Sequence, residues 1–121
     1  MSIQAQVLNL LRELKQELEL TYVFISHDLA VVENVSDTVA VMYLGQIVEY
    51  APRPLLFSKP LHPYTGLLLS SVPVPCKRVS DRALLKGELP SVTALPPGCP
   101  FEPRCPRRQD KCGKENPYWK K

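Results

Sequence analysis

The sequence has no proline before Pro52, yet it carries thirteen in 121 residues, well above the roughly 5% of an average protein. Its five glycines (45, 66, 87, 98 and 113) stand singly, and no G-x-x-x-x-G-K-[ST] loop is present to cradle a phosphate. Nor does any apolar run end in Asp-Glu, which removes the usual magnesium-binding acid of a nucleotide site. No apolar run approaches the ~18 residues of a spanning helix. The N-terminus also lacks the basic-then-apolar layout of a signal peptide. The expected compartment is therefore the cytosol, where the four cysteines (76, 99, 105 and 112) are expected as thiols or metal ligands rather than disulfides.

What is present is unevenly spread. Residues 1–74 hold four Lys/Arg against seven Asp/Glu, whereas residues 75–121 hold eleven against five, so the net +3 hides an acidic first part and a basic tail. A basic tail suits nucleic acid, an acidic partner or an anionic leaflet, and equally a merely solvated segment.

Periodicity organises the first part. Ile3, Val7, Leu10, Leu11, Leu14 and Leu18 fall on one stripe, which predicts an amphipathic helix over 2–18 with Ser2 as N-cap. Residues 21–25 are apolar or β-branched without alternation, the pattern of a strand buried on both faces of a parallel sheet. A helix is expected from Asp28 to Val35, with Leu29, Val32 and Val35 inward. A hairpin over 38–43 and 46–50 is expected to turn at Leu44-Gly45. Short helices follow at 53–57 and 62–69, with Pro63 tolerated in the first turn. Beyond Pro73, proline, basic residues and cysteines crowd together, which puts a boundary near 72–76. One buried strand needs parallel neighbours reached by long crossovers. Residues 1–74 are accordingly expected to be the last portion of an α/β domain.

Two constellations carry chemistry. "TYVFISHDLA" (21–30) ends an apolar run in Ser26-His27-Asp28. These three cannot form a hydrolase relay, because neighbours on a strand point to opposite faces. His27 sits instead at the C-terminal end of the expected strand, where α/β proteins bind ligands, and Asp28 is placed to cap the next helix. Cys99, Cys105 and Cys112 crowd a Gly/Pro-rich stretch, which in a cytosolic chain suggests thiolate ligation of zinc or an iron–sulfur cluster; free thiols are the plain alternative. His62 is expected as a helix-start residue bonding the backbone, and Tyr64 and Leu67–Leu69 as packing. Arg104, Arg107, Arg108 and Lys111 suit a solubilising or charge-balancing role, and Tyr118 and Trp119 a frayed end.

"FISHDLAVV" (24–32) and "DTVAVMYLGQIVEYAP" (37–52) resemble the switch-histidine segment and closing hairpin of ABC-transporter ATP-binding subunits. The continuation "LFSKPLHPYTGLLLSSVP", "LLKGELPS" and "PPGCPFEPRCPRRQDKC" is similar to the oligopeptide/dipeptide importer branch. The resemblance implies an α/β fold, the C-terminal fragment of a P-loop ABC ATPase domain over 1–72 (helix, buried strand, helix, hairpin, short helices), followed by an irregular Cys/Pro-rich region over 73–121. It implies that His27 contacts the γ-phosphate of ATP, that Asp28 contacts the opposing subunit, and that Cys99, Cys105 and Cys112 hold a 4Fe–4S cluster whose fourth cysteine normally follows the third; Cys76, which does not match that family position, is the candidate fourth ligand by folding back from upstream. Implied partners are a second ATP-binding subunit, transmembrane permease subunits and, indirectly, a peptide-binding protein, at the cytoplasmic face of the membrane; no nucleic acid is expected. Since ATP and magnesium are mostly bound by segments outside this sequence, the chain alone is expected to be inactive. A small metal-binding module contacting nucleic acid, or an inert remnant, are the rival readings. Glu19 stands where relatives usually have glycine, which predicts a helix end without the easy left-handed residue.

Overall fold

The computed structural model describes residues 2–72, 88 and 91–116. They fall in two compact units, residues 1–37 and 38–121.

In the first unit, α1 (Ile3–Glu17) begins where expected: the Ser2 hydroxyl accepts from the Ala5 amide at 3.3 Å. It ends in a Schellman closure, with the Leu20 amide donating to the Lys15 carbonyl at 3.1 Å and the residue between helix and closure in the left-handed region. That residue is Glu19, at φ 50°. Lys15 Nζ pairs with Asp37 Oδ2 at 2.6 Å, and the Arg12 guanidinium donates to the Asn34 carbonyl.

The expected burial of α1 is not observed. The helix has no buried residue, and Ile3, Val7, Leu10 and Leu18 are all exposed. The strand expected over 21–25 is also absent: residues 20–26 have no regular structure, with Val23 92% and Ile25 93% exposed. The reason is common to both. A strand exists only when its amides and carbonyls find a neighbour's, and among the described residues the only sheet is the two-stranded hairpin of the second unit. An amphipathic stripe is likewise buried only by something laid on it. After this segment, Asp28 caps α2 (Leu29–Val35), its Oδ1 accepting from Ala30 and Val31 at 3.0 and 3.2 Å. Val31 is the buried residue of α2, in place of the Leu29, Val32 and Val35 face expected from spacing.

The second unit is built on an antiparallel hairpin, β1 (Thr38–Tyr43) and β2 (Gln46–Pro52). Leu44 and Gly45 both have positive φ, 48° and 77°, as a two-residue type I′ turn requires. Val39, Val41 and Tyr43 point inward. The register slips once: Val41 pairs with Glu49 and Met42 with Ile47, leaving Val48 over as a bulge. The extra residue changes which β2 side chains face the core, and it turns Glu49 inward beside Val41. Two short helices follow, α3 (Arg53–Ser58), which buries Leu56, and α4 (Pro63–Ser71), which buries Thr65. Leu67–Leu69 are half-buried. Two 3₁₀ turns, Glu102–Arg104 and Asp110–Gly113, shape the cysteine loop. The composition boundary near 72–76, Cys76, Tyr118 and Trp119 lie outside the described residues, apart from Val72 itself.

Helix and antiparallel hairpin together fit an α/β architecture in coarse terms. A left-handed glutamate costs about 1 kcal/mol relative to glycine. Glu19→Gly is therefore expected to slow amide exchange at Leu18 and Leu20 by about fivefold, measured by hydrogen–deuterium exchange.

Candidate functional site

His27 lies at a bend, exposed to solvent, one residue before the cap of α2. Local bonds hold this bend. The Ser26 hydroxyl accepts from the Asp28 amide at 3.0 Å, and the Asp28 carboxylate is taken up by the two α2 amides. Neither flanking side chain engages the imidazole, which rules out a Ser-His-Asp relay in this arrangement. His27 makes no hydrogen bond or ion pair among the described residues, so its ring nitrogens are free to meet a ligand. The Asp28 carboxylate takes up the Ala30 and Val31 amides at the start of α2, and the His27 ring is left exposed beside them.

A second constellation lies in the second unit. The Glu49 carboxylate, 7% exposed, accepts from the Leu61 amide at 2.8 Å and the His62 amide at 3.1 Å. His62 in turn uses Nδ1 to accept from the Tyr64 amide at 3.1 Å, capping α4 as the sequence predicts. An accepting Nδ1 leaves the ring proton on Nε2. Burial pushes the His62 pKa below its usual value, and the neighbouring Glu49 charge opposes part of that shift.

Onto this platform the cysteine loop docks through one side chain. Phe101, 1% exposed, meets Tyr43 edge-on at 5.1 Å, Tyr64 at 5.4 Å and His62 at 5.7 Å between ring centroids; Tyr43 and Tyr64 are 4.7 Å apart. Burial raises the Tyr64 pKa, helped by Tyr43 and opposed by Arg104. Neither Phe101 nor Glu49 was singled out from sequence. Phe101 had a signal, being the one aromatic residue between Tyr64 and Tyr118. Glu49 had a weaker one, a lone charge inside the apolar run of β2.

The loop closes on itself at Gly98. The Cys99 amide donates to the Cys112 carbonyl at 2.8 Å, and a Cβ on Gly98 would meet the Cys112 oxygen at 2.2 Å. This contact sits on backbone, so only glycine fits. All three cysteines are free thiols and half-buried. Burial raises the Cys99 pKa; Phe101 and Glu102 amides on its sulfur oppose this, while Cys105 and Cys112 add to the rise. The Gln109 amide points at the Cys112 sulfur at 3.4 Å. Amides aimed at sulfur suit a thiolate ligand. Yet among the described residues no three Cys, His, Asp or Glu side chains are arranged to hold a metal ion. Soft donors share one loop, but the loop as it stands is not a metal site.

Removing the ring that anchors this loop tests the packing. Phe101→Ala is expected to cost about 3–5 kcal/mol of docking, exposing Cys99 to thiol reagents at pH 7 while leaving the α1 and α2 amides unchanged in hydrogen exchange.

Among the described residues, no helix is long and apolar enough to cross a membrane. The sequence profile of the family described as "Oligopeptide/dipeptide transporter, C-terminal region" matches residues 48–112, the stretch that contains Glu49, the His62 cap, Phe101 and the three loop cysteines. Among curated proteins, the chain is 54% identical over 122 residues to the oligopeptide transport ATP-binding protein AppF of Bacillus subtilis, a match covering 98% of this chain and 37% of that protein. It is 54% identical over 117 residues to the probable peptide ABC transporter ATP-binding protein y4tS of Sinorhizobium fredii (96% and 33%). It is 50% identical over 119 residues to the putative oligopeptide transport ATP-binding protein YkfD of Bacillus subtilis (96% and 36%). The chain thus spans about a third of the length of these relatives. By profile and by identity, it belongs to the oligopeptide/dipeptide transporter ATP-binding family, whose C-terminal region it carries.

Proposed function

We propose that this chain supplies the C-terminal part of an ATP-binding subunit that powers peptide import. Residues 1–72 would belong to the ATP-binding domain and residues 73–121 to the family's cysteine-rich region. The observation that carries this reading is the state of the first unit: an exposed His27 at a fixed bend, next to an uncovered apolar helix face and an unpaired apolar run. Exposed apolar surface of this extent calls for a cover, and the longer relatives have the chain length to provide one.

In this reading His27 meets the γ-phosphate of ATP. Imidazole N–H donates to a phosphate oxygen and steadies the charge that builds as the phosphoryl group transfers, where positioning and electrostatics supply most of the catalysis. Asp28 fixes the bend by capping α2 and would face the second ATP-binding subunit. Magnesium and the remaining phosphate contacts would come from the rest of the domain. Permease subunits would hold the assembly at the cytoplasmic face of the membrane and receive peptide from a binding protein.

The same reading makes Cys99, Cys105 and Cys112, with Cys76 as the fourth, the ligands of an iron–sulfur cluster. The amides aimed at the Cys99 and Cys112 sulfurs support it. Since metal binding and local folding are coupled, the loop would have to draw its thiols together around the cluster.

Two measurements test these assignments. Mixed with the N-terminal remainder of a family ATP-binding subunit, the chain is expected to restore ATP hydrolysis. His27→Ala is then expected to reduce that hydrolysis about 100-fold; restored activity that His27→Ala leaves intact refutes the phosphate role. For the loop, anaerobic purification is expected to give a brown chain containing iron and sulfide, with Cys99→Ser colourless; a colourless wild type refutes the cluster.

A further inference from the structure

The junction between α4 and the cysteine loop is held by a titratable side chain that the ATP and cluster assignments do not use. His62 does two things at once. Its Nδ1 accepts the Tyr64 amide that opens α4, and its ring stands against Phe101, the side chain that docks the loop. We propose that His62 is a proton-operated latch: neutral, it caps α4 and keeps the cysteine loop docked; protonated, it gives up the cap and lets the loop go.

The chemistry follows from the donor and acceptor inventory. Imidazolium has no acceptor, since both nitrogens then carry protons. A proton on Nδ1 would face the Tyr64 N–H directly, donor against donor. The positive end of the α4 dipole lies at the same place and further disfavours a cation. The groups around the ring come from every element packed there. Glu49 approaches from β2, and its carboxylate favours the imidazolium. Tyr64 on α4 and Phe101 from the loop supply apolar surface, which opposes it. Tyr43 on β1 and Arg104 in the loop act on Tyr64.

Glu49 is already committed to this junction, one oxygen accepting from the Leu61 amide and the other from the His62 amide. Burial prevails over Glu49, and the folded pKa lies below that of the unfolded chain. The unfolded form therefore takes the proton first. The cap's contribution is fully present above pH ~6.5 and is lost as pH falls through the lower, folded value.

Three buried polar atoms among the described residues, Tyr43 Oη, Thr65 Oγ1 and Arg104 Nε, have no hydrogen-bond partner, each of which works against the packed state. Two of the three residues that carry them border the Phe101 contact.

The test uses the full chain. Amide exchange at Tyr64, Phe101, Glu102, Arg104 and Cys105, corrected for the intrinsic effect of pH, is followed from pH 7.5 to 5 together with the His62 ring resonance. Protection is expected to fall about tenfold or more as the ring titrates. His62→Asn keeps a capping acceptor without a titrating group, and is expected to hold its protection across the range. A wild type that stays protected while His62 titrates overturns the latch. So does a His62→Asn chain that loses protection as the wild type does. Should His62→Asn be unprotected already at pH 7.5, His62→Asp is used, which caps and stays charged over this range; parallel loss in that variant counts against the latch equally.

Discussion

Glu49 has lost nearly all its water, and a buried carboxylate persists only where hydrogen bonds replace that hydration. Here the replacements are two consecutive backbone amides, Leu61 and His62, twelve and thirteen residues further along the chain. This one requirement pulls the segment after α3 back against β2. It fixes where α4 starts, and hence where His62 and Tyr64 lie. Phe101 can then find three rings in place, and the cysteine loop has somewhere to dock. The bulge at Val48 is the device beneath all of this, because without the extra residue β2 would present Glu49 to solvent and Val48 to the core.

The two units show opposite relations between local and tertiary structure. Among the described residues of the second unit, apolar side chains find one another, and the loop backbone closes at Gly98. Residues 2–37 are held without an apolar core. Caps, a Schellman closure, the Lys15–Asp37 pair and the Arg12–Asn34 bond hold α1, the bend and α2, while the apolar stripe and the run 21–25 remain uncovered. A surface ion pair such as Lys15–Asp37 contributes little and does not substitute for a core. His27 is thereby held by short-range bonds that survive without the sheet it was expected to terminate.

This division also explains what the sequence could tell. Caps and turns are readable because their causes lie within a few residues. Ser2, Asp28 and His62 each sit where an oxygen or nitrogen acceptor meets free helix amides, and Leu44-Gly45 sits where both central residues need positive φ. Glu19 could be read as a strained helix end for the same reason. The strand over 21–25 could not be settled locally, because its existence depends on a neighbour that composition does not supply. Glu49 and Phe101 were missed for a related cause. A bulge reverses the in-out pattern at a single position, and periodicity counts through it without seeing it. A lone phenylalanine in a proline-rich tail has no periodic partner at all.

The cysteine loop illustrates how far donor identity goes without arrangement. Spacing brings three thiols into one loop, and backbone amides point at two of the sulfurs. Ligation also needs convergence, which here depends on residues around the loop rather than within it. Phe101 holds the loop from one side, through rings on β1 and α4, and Gly98 holds it from the other, through contact with the Cys112–Gly113 backbone. Any rearrangement that gathers the thiols must keep both anchors. Between those anchors lie the 3₁₀ turn Glu102–Arg104 and the start of the turn Asp110–Gly113, a helix type with weaker hydrogen-bond geometry than the α-helix. The same contacts that dock the loop on Glu49's platform therefore set the limits within which any gathering of its cysteines must occur.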